Sequence, residues 1–189
     1  MNWAQLQRTA QFILDQEARR DKAGNLRVYP LPKGDGGGRF EIAGINERFD
    51  HDICWELREM IETKQFEAAE RMAREYYMAN TARVADWDAP PAIEAWLRDA
   101  AFNRGLGGAA KMLQMALGVT VDGSVGQKTR AALKSADAAN LLAKLHTCQE
   151  AYERRVAPPV GERAKFWKGL NNRWNARLAF CKTLLEEKA

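Results

Sequence analysis

Long apolar runs are missing from this chain. No stretch approaches the roughly 20 consecutive apolar residues that a membrane-crossing helix needs, although 46% of the 189 residues are hydrophobic. The apolar residues are dispersed in periodic stripes, enough for one domain or two small ones with real cores. The N-terminus has no basic region followed by a continuous apolar core, so no standard signal peptide is expected and synthesis in the cytoplasm is. Cysteine is scarce: Cys54, Cys148 and Cys181 are too few and too scattered for a disulfide framework, and the last two fall on apolar helical stripes as core residues. Histidine is scarcer still, His51 and His146 lie far apart, and no Cys or His cluster has metal-ligand spacing. Neither a metal nor a cofactor is expected. A G-x-x-x-x-G-K-[ST] phosphate loop is absent. Net charge is only +4, with a pI near 9.0, which weakly favours a polyanionic partner such as nucleic acid, anionic lipid or a bacterial wall polymer. No Lys/Arg run marks a nucleic-acid stripe, so that option is discounted.

What is present is helical periodicity. Trp3, Leu6, Ala10, Ile13 and Leu14 form one stripe of a helix over 3–18. Residues 19–52 change character: Leu26/Val28 and Phe40/Ile42 alternate with charged residues on either side of a glycine run at 36–38, which predicts a small hairpin or irregular β excursion. From residue 52 onward stripes recur. Asp86–Asp88 with Pro90-Pro91 predicts a capped helix start; that helix carries Trp96 inward and stops near Gly105. Asn103, seven residues after Trp96, is expected on the buried face. A helix over 108–117 ends at Gly118, and Asp122-Gly123 makes a tight turn before a short helix. Asp137 is expected to cap a long helix ended by Pro158-Pro159, and the six tryptophans are expected mostly in the core. The fold class is mainly α, with seven to nine helices and one small β excursion near the N-terminus.

One side chain breaks the apolar logic of the first helix. Glu17, three residues past Leu14, falls on the apolar face. A carboxyl there loses water, and the helix C-terminus disfavours an anion, so both effects raise its pKa toward what a general acid needs. The other reading is that the helix frays by residue 17 and Glu17 is solvated.

Three segments carry a family resemblance. "LRDAAFNRGLGGAAKMLQMALGVTVDGSVGQKTRAAL" at 97–133 is similar to an aspartate–asparagine–glycine segment, a leucine–glutamine helix and a V-D-G-x-x-G-x-K-T turn-and-helix in the phage-type N-acetylmuramidases of glycoside hydrolase family 108, with their C-terminal peptidoglycan-binding region. "EYYMANTARVADWDAPPAIEAW" and "FWKGLNNRW" resemble the aromatic helix with its proline entry and the closing segment. Glu17 stands at the family's glutamate, though Ala18-Arg19 follow where members have two glycines. Asp35-Gly36-Gly37-Gly38 and Gly44-Ile45 look like the loop that leads to Gly-Ile, with Phe40 and Glu41 near the place of its usual threonine.

The resemblance implies a lysozyme-like catalytic region over 1–90 and a helical peptidoglycan-binding region over 91–189. It implies cleavage of the N-acetylmuramic acid–N-acetylglucosamine bond with Glu17 as general acid. Glu41 and Asp35 stand for the second role, although Glu41 also reads as a solvated strand residue and Asp35 as a turn former. Tyr77, Asn103 and Arg104 are expected beside the glycan, or else in core or surface duty. The expected partner is the glycan strand of peptidoglycan, with no nucleic acid, no stable membrane insertion, and a holin or secretion system for export to the periplasm or wall. Three alternatives stay open: a wall-binding module without catalysis, an effector delivered into competitor cells, and a nucleic-acid-binding helical domain.

Overall fold

A computed structural model describes residues 1–32 and 37–187. Asp35, one of the three carboxylates singled out from the sequence, lies outside the described residues, as does Gly36 at the start of the glycine run. The described chain is mainly α with a small antiparallel sheet near the N-terminus. It forms two compact units, Ala10–Ala79 and Met1–Thr9 with Asn80–Ala189.

The Ala10–Ala79 unit holds the later turns of α1 (Trp3–Glu17), then β1 (Tyr29–Pro30), β2 (Phe40–Ile42), β3 (Ile45–Asn46), α2 (His51–Glu62) and most of α3 (Phe66–Asn80). The sheet runs β1-β2-β3, with Tyr29 opposite Glu41, and Ile42 opposite Ile45. Ala10, Ile13 and Leu14 are buried and Leu6 is partly so, but Trp3 is 67% exposed. The stripe therefore begins at Leu6, and a helix's first turn need not follow the face of the rest. The β excursion is present, but its first strand is Tyr29–Pro30 rather than Leu26/Val28. Leu26 is buried beside an isolated bridge to Arg20. A proline fits here because β1 is an edge strand, where one missing N–H leaves no central bond unmade.

The second unit centres on α4 (Pro91–Leu117), which packs against α6 (Ala138–Val156) and α7 (Trp167–Glu186), with α5 (Gln127–Ser135) alongside. Every residue from Ala92 to Ala100 is buried, the signature of a central helix with no solvent face. The expected stop at Gly105 is a kink instead: Gly105 alone leaves helical geometry (φ 67°, ψ 168°), and the helix resumes to a left-handed Gly118 cap. The expected acidic cap is also corrected. Asp88 closes a 3-10 segment, Ala82–Trp87, in left-handed conformation, while Pro90 caps α4 and Pro91 opens it. Asp137 does cap α6, accepting from the Asn140 amide at 2.9 Å. Cys181 is buried, Cys148 packs at the core edge, and Trp87, Trp96, Trp167 and Trp174 are buried.

The buried carboxylates of this unit are held by cations. Asp99 accepts from Arg177 at 2.9 Å and from Arg173 at 2.6 Å, and the Arg177 guanidinium stacks 4.0 Å from the Trp96 ring centroid. Burial works to raise the Asp99 pKa, but Arg173 and Arg177 outweigh it and hold the carboxyl below its ordinary range. Gln114, also buried, bolts the Asp122-Gly123 turn: its amide donates to the Asp122 carboxylate at 2.7 Å and to the Ser124 carbonyl at 2.9 Å, and its oxygen accepts from the Gly123 N–H at 2.8 Å.

Candidate functional site

The functional constellation builds up around one tight turn in the Ala10–Ala79 unit. Ile42 pairs with Ile45, so the strands β2 and β3 are joined by only Ala43 and Gly44. Both have positive φ, 50° and 72°, the left-handed pair that a two-residue type I′ hairpin requires. Glycine is free to adopt this; alanine is not, and its strain must be offset by surrounding contacts. Tyr77 of α3 supplies one of them: its hydroxyl, fully buried, donates to the Ala43 carbonyl at 2.7 Å.

Glu17 meets the other half of the turn. A Cβ on Gly44 would lie 2.8 Å from Glu17 Oε2 and 3.1 Å from its Cδ. Only a residue without a side chain lets the hairpin approach the carboxyl this closely. Glu17 is the last residue of α1 and is half-buried, so the helix does not fray before it. Helix end, hairpin turn and buried tyrosine thus form one support for the carboxyl.

Glu41 lies on the sheet face opposite Phe40 and Ile42, which are both buried. Directly paired residues of an antiparallel sheet point to the same side, so Tyr29, Glu41 and Asn46 share that polar face. Two guanidinium groups stand over Tyr29: Arg19 at 5.2 Å from the ring centroid and Arg27 at 5.7 Å. The backbone keeps them neighbours, since the Arg27 N–H donates to the Arg19 carbonyl at 3.0 Å. At the far side of the sheet, Glu47 accepts from the Arg39 backbone N–H and guanidinium at 3.2 and 2.5 Å, and Arg39 holds the Glu47 carboxyl below its usual range. Cys54 is no nucleophile: burial pushes its thiol up to about 11, and the thiol donates to the Ile45 carbonyl. Among the described residues no group of three or more His, Cys, Asp or Glu is placed to hold a metal ion.

The remaining sequence candidates fall elsewhere. Tyr77 supports the turn from within the core rather than offering its ring to solvent. Asn103 is exposed, not buried as its spacing predicts, because the helix turns away at Gly105 just beyond it; its amide donates to the Asp99 carbonyl at 2.8 Å. Arg104 makes a two-pronged ion pair with the buried Glu153, at 2.7 and 2.5 Å. Both belong to the second unit. Sequence reasoning missed the Arg19–Tyr29–Arg27 cluster. The signal was there: Arg27 and Tyr29 alternate with Leu26 and Val28, which places them on one face.

Comparison with known proteins adds a family for part of the chain and a fold for all of it. Among curated proteins, no sequence matches. The solved structure of Brucella abortus SagA is similar over 99% of both chains, with a TM-score of 0.71 at 21% identity, and this likeness establishes the fold. No helix of the described residues is long and apolar enough to cross a membrane. Residues 108–175, which include the bolted Gln114–Asp122 turn, match the family described as a Predicted Peptidoglycan domain, and this segment ties the protein to peptidoglycan.

Proposed function

We propose that this protein is a peptidoglycan hydrolase of the muramidase type, cleaving between N-acetylmuramic acid and N-acetylglucosamine with Glu17 as the general acid. The observation that carries the reading is the support of Glu17: a half-buried carboxyl at a helix C-terminus, held against a side-chain-free turn position. In this reading protonated Glu17 gives its proton to the glycosidic oxygen as the C1–O bond breaks. Water then adds to C1, aided by a second carboxylate, for which Glu41 on the polar sheet face is the described candidate. Asp35 remains the other. The proposal follows the resemblance to glycoside hydrolase family 108, with catalysis in the 1–90 region and wall binding in the 91–189 region, and with a holin or secretion system giving access to the wall.

The test is turbidity loss of purified peptidoglycan with analysis of the released ends. Wild type should release reducing sugar ends, and a folded Glu17→Gln protein should lose 10²-fold or more of that rate, on the order of what a positioned acid supplies. Release of amines or peptides instead would replace the glycosidase reading by an amidase or peptidase one.

A second reading has an observation of its own. The peptidoglycan match falls in the unit that does not contain Glu17, as expected of a wall-binding or secretion-associated protein without catalysis. Wall binding without any released ends, in wild type and Glu17→Gln alike, would establish it.

A further inference from the structure

We infer that Arg19, Tyr29 and Arg27 form a clamp for a carboxylate on the peptide stems of peptidoglycan, so that the site takes peptide-bearing rather than uncharged glycan. The inference rests on the peptidoglycan reading above and names which part of that polymer this unit contacts.

The two guanidinium groups are set apart by sharing one ring without a counter-ion among the described residues. Four other arginines of the same unit are matched to acids: Arg20 to Glu70, Arg39 to Glu47, Arg58 to Glu62, and Arg74 to Glu70 at 3.8 Å. Arg19 and Arg27 are exposed and have no ion-pair partner among the described residues. Both nevertheless stand over one ring, tied at the backbone. Two like charges gathered this way repel, and the ring's negative face offsets only part of that. An anion within reach of both would offset that repulsion, and a planar carboxylate matches the guanidinium fork.

The position fits the same polymer. Arg19 is two residues beyond Glu17, and Tyr29 faces out beside Glu41. A glycan reaching these carboxylates would bring its substituents to the arginines. The sugars of a peptide-bearing strand are uncharged, and its carboxylates lie on the stems. Phosphate of wall-linked polymers is the other anionic source in a wall, so the experiment separates the two.

Binding should be measured in the Glu17→Gln background, where strands are not consumed, with soluble glycan strands bearing tetrapeptide stems and free of phosphate polymers. The comparison ligand is the same strands with their stem carboxylates converted to methylamides. The carboxylate form should bind about fivefold to tenfold tighter, the scale of two solvent-accessible charged contacts. Adding Arg19→Gln and Arg27→Gln together should abolish that preference while leaving affinity for the amidated strands unchanged. Lysines at both positions should keep part of it. Equal binding of the two ligands, no binding of either, or a preference that survives the double substitution would overturn the clamp. So would displacement by glycerol-phosphate oligomers with no response to amidation. Cleavage of amidated strands by the unaltered protein is scored separately: cleavage without the binding preference defeats only the clamp, and the preference without cleavage defeats only the muramidase reading.

Discussion

The two units solve different problems with different means. In the helical unit, the buried run Ala92–Ala100 of α4 places apolar surface on every side, and its charged members are neutralised in place: Glu94 by Arg98 and the N-terminal amine, Asp99 by Arg173 and Arg177. In the Ala10–Ala79 unit the sheet strands are two or three residues long, too short to set a geometry alone. Single contacts do it there: Tyr77 on the Ala43 carbonyl, and Glu17 against Gly44. The helical unit holds its shape through bulk burial, with its buried carboxylates paired to cations. The hairpin unit trades that redundancy for close placement of a carboxyl. Perturbations should therefore divide, with stability lost in one unit and placement lost in the other.

The sharpest break should come from Asp99→Asn. It leaves Arg173 and Arg177 without their counter-charge inside the helical unit, which costs about 3–5 kcal/mol when a buried pair is broken from one side. Urea unfolding would give the size. Hydrogen exchange of peptides from α4, α6 and α7 would show the loss there, with the hairpin peptides unaffected. The pH dependence has a definite sign. Asp99 has a folded pKa below its unfolded value near 3.9, so its contribution is complete above that pH and is lost as pH falls through the folded value. The variant should lack this acid-limb loss. A cost under about 1 kcal/mol would mean the network is not what holds α4 to α7.

Gly44→Ala should do the reverse, with most of its effect on placement. The new methyl would meet Glu17 Oε2 at 2.8 Å, and the carboxylate, as a side-chain end, would move. Misplacing a catalytic group by about 1 Å costs on the order of 10²-fold in rate, while positive φ adds about 1–2 kcal/mol of strain. Rate and stability measured together decide: full hydrolytic activity in a folded Gly44→Ala protein would remove Glu17 from the reaction. Tyr77→Phe is milder. It strips the buried Ala43 carbonyl of the tyrosine donor, expected at about 1–2 kcal/mol, and raised exchange confined to β2 and β3 would confirm that the hydroxyl serves the turn.

The sequence revealed the helices more readily than the turn, for a physical reason. A stripe such as Ala10, Ile13 and Leu14 repeats and can be read from spacing alone, as can the Asp137 cap and the Gly118 stop. Glu17's half-burial followed from the same arithmetic. What escaped depends on partners distant in sequence: Tyr77 reaches back to residue 43, and Arg173 and Arg177 to residue 99. No local pattern announces that Ala43-Gly44 is an I′ turn, because the usual Asn-Gly or Asp-Gly signal is replaced by an alanine held in a strained conformation. Asn103 misled because helical spacing was carried to within two residues of the Gly105 kink, where a face no longer keeps its direction.

That strained alanine provides the smallest and most discriminating test. Ala43→Gly relieves left-handed strain of about 1–2 kcal/mol. It also removes a methyl from a site only 2% exposed, worth about 0.8 kcal/mol, and frees the unfolded chain, costing about 0.4–1 kcal/mol. These oppose one another, so stability should change by less than about 1 kcal/mol in either direction, with the Tyr77 bond kept because the carbonyl is backbone. Urea unfolding of Ala43→Gly beside Tyr77→Phe makes the reading strict. If glycine proves as damaging as the loss of the hydroxyl, the alanine methyl rather than the tyrosine contact holds the turn. If glycine is neutral and phenylalanine is not, the turn behind Glu17 is held by one hydrogen bond, and the contrast with the densely packed helical unit stands at the level of a single atom.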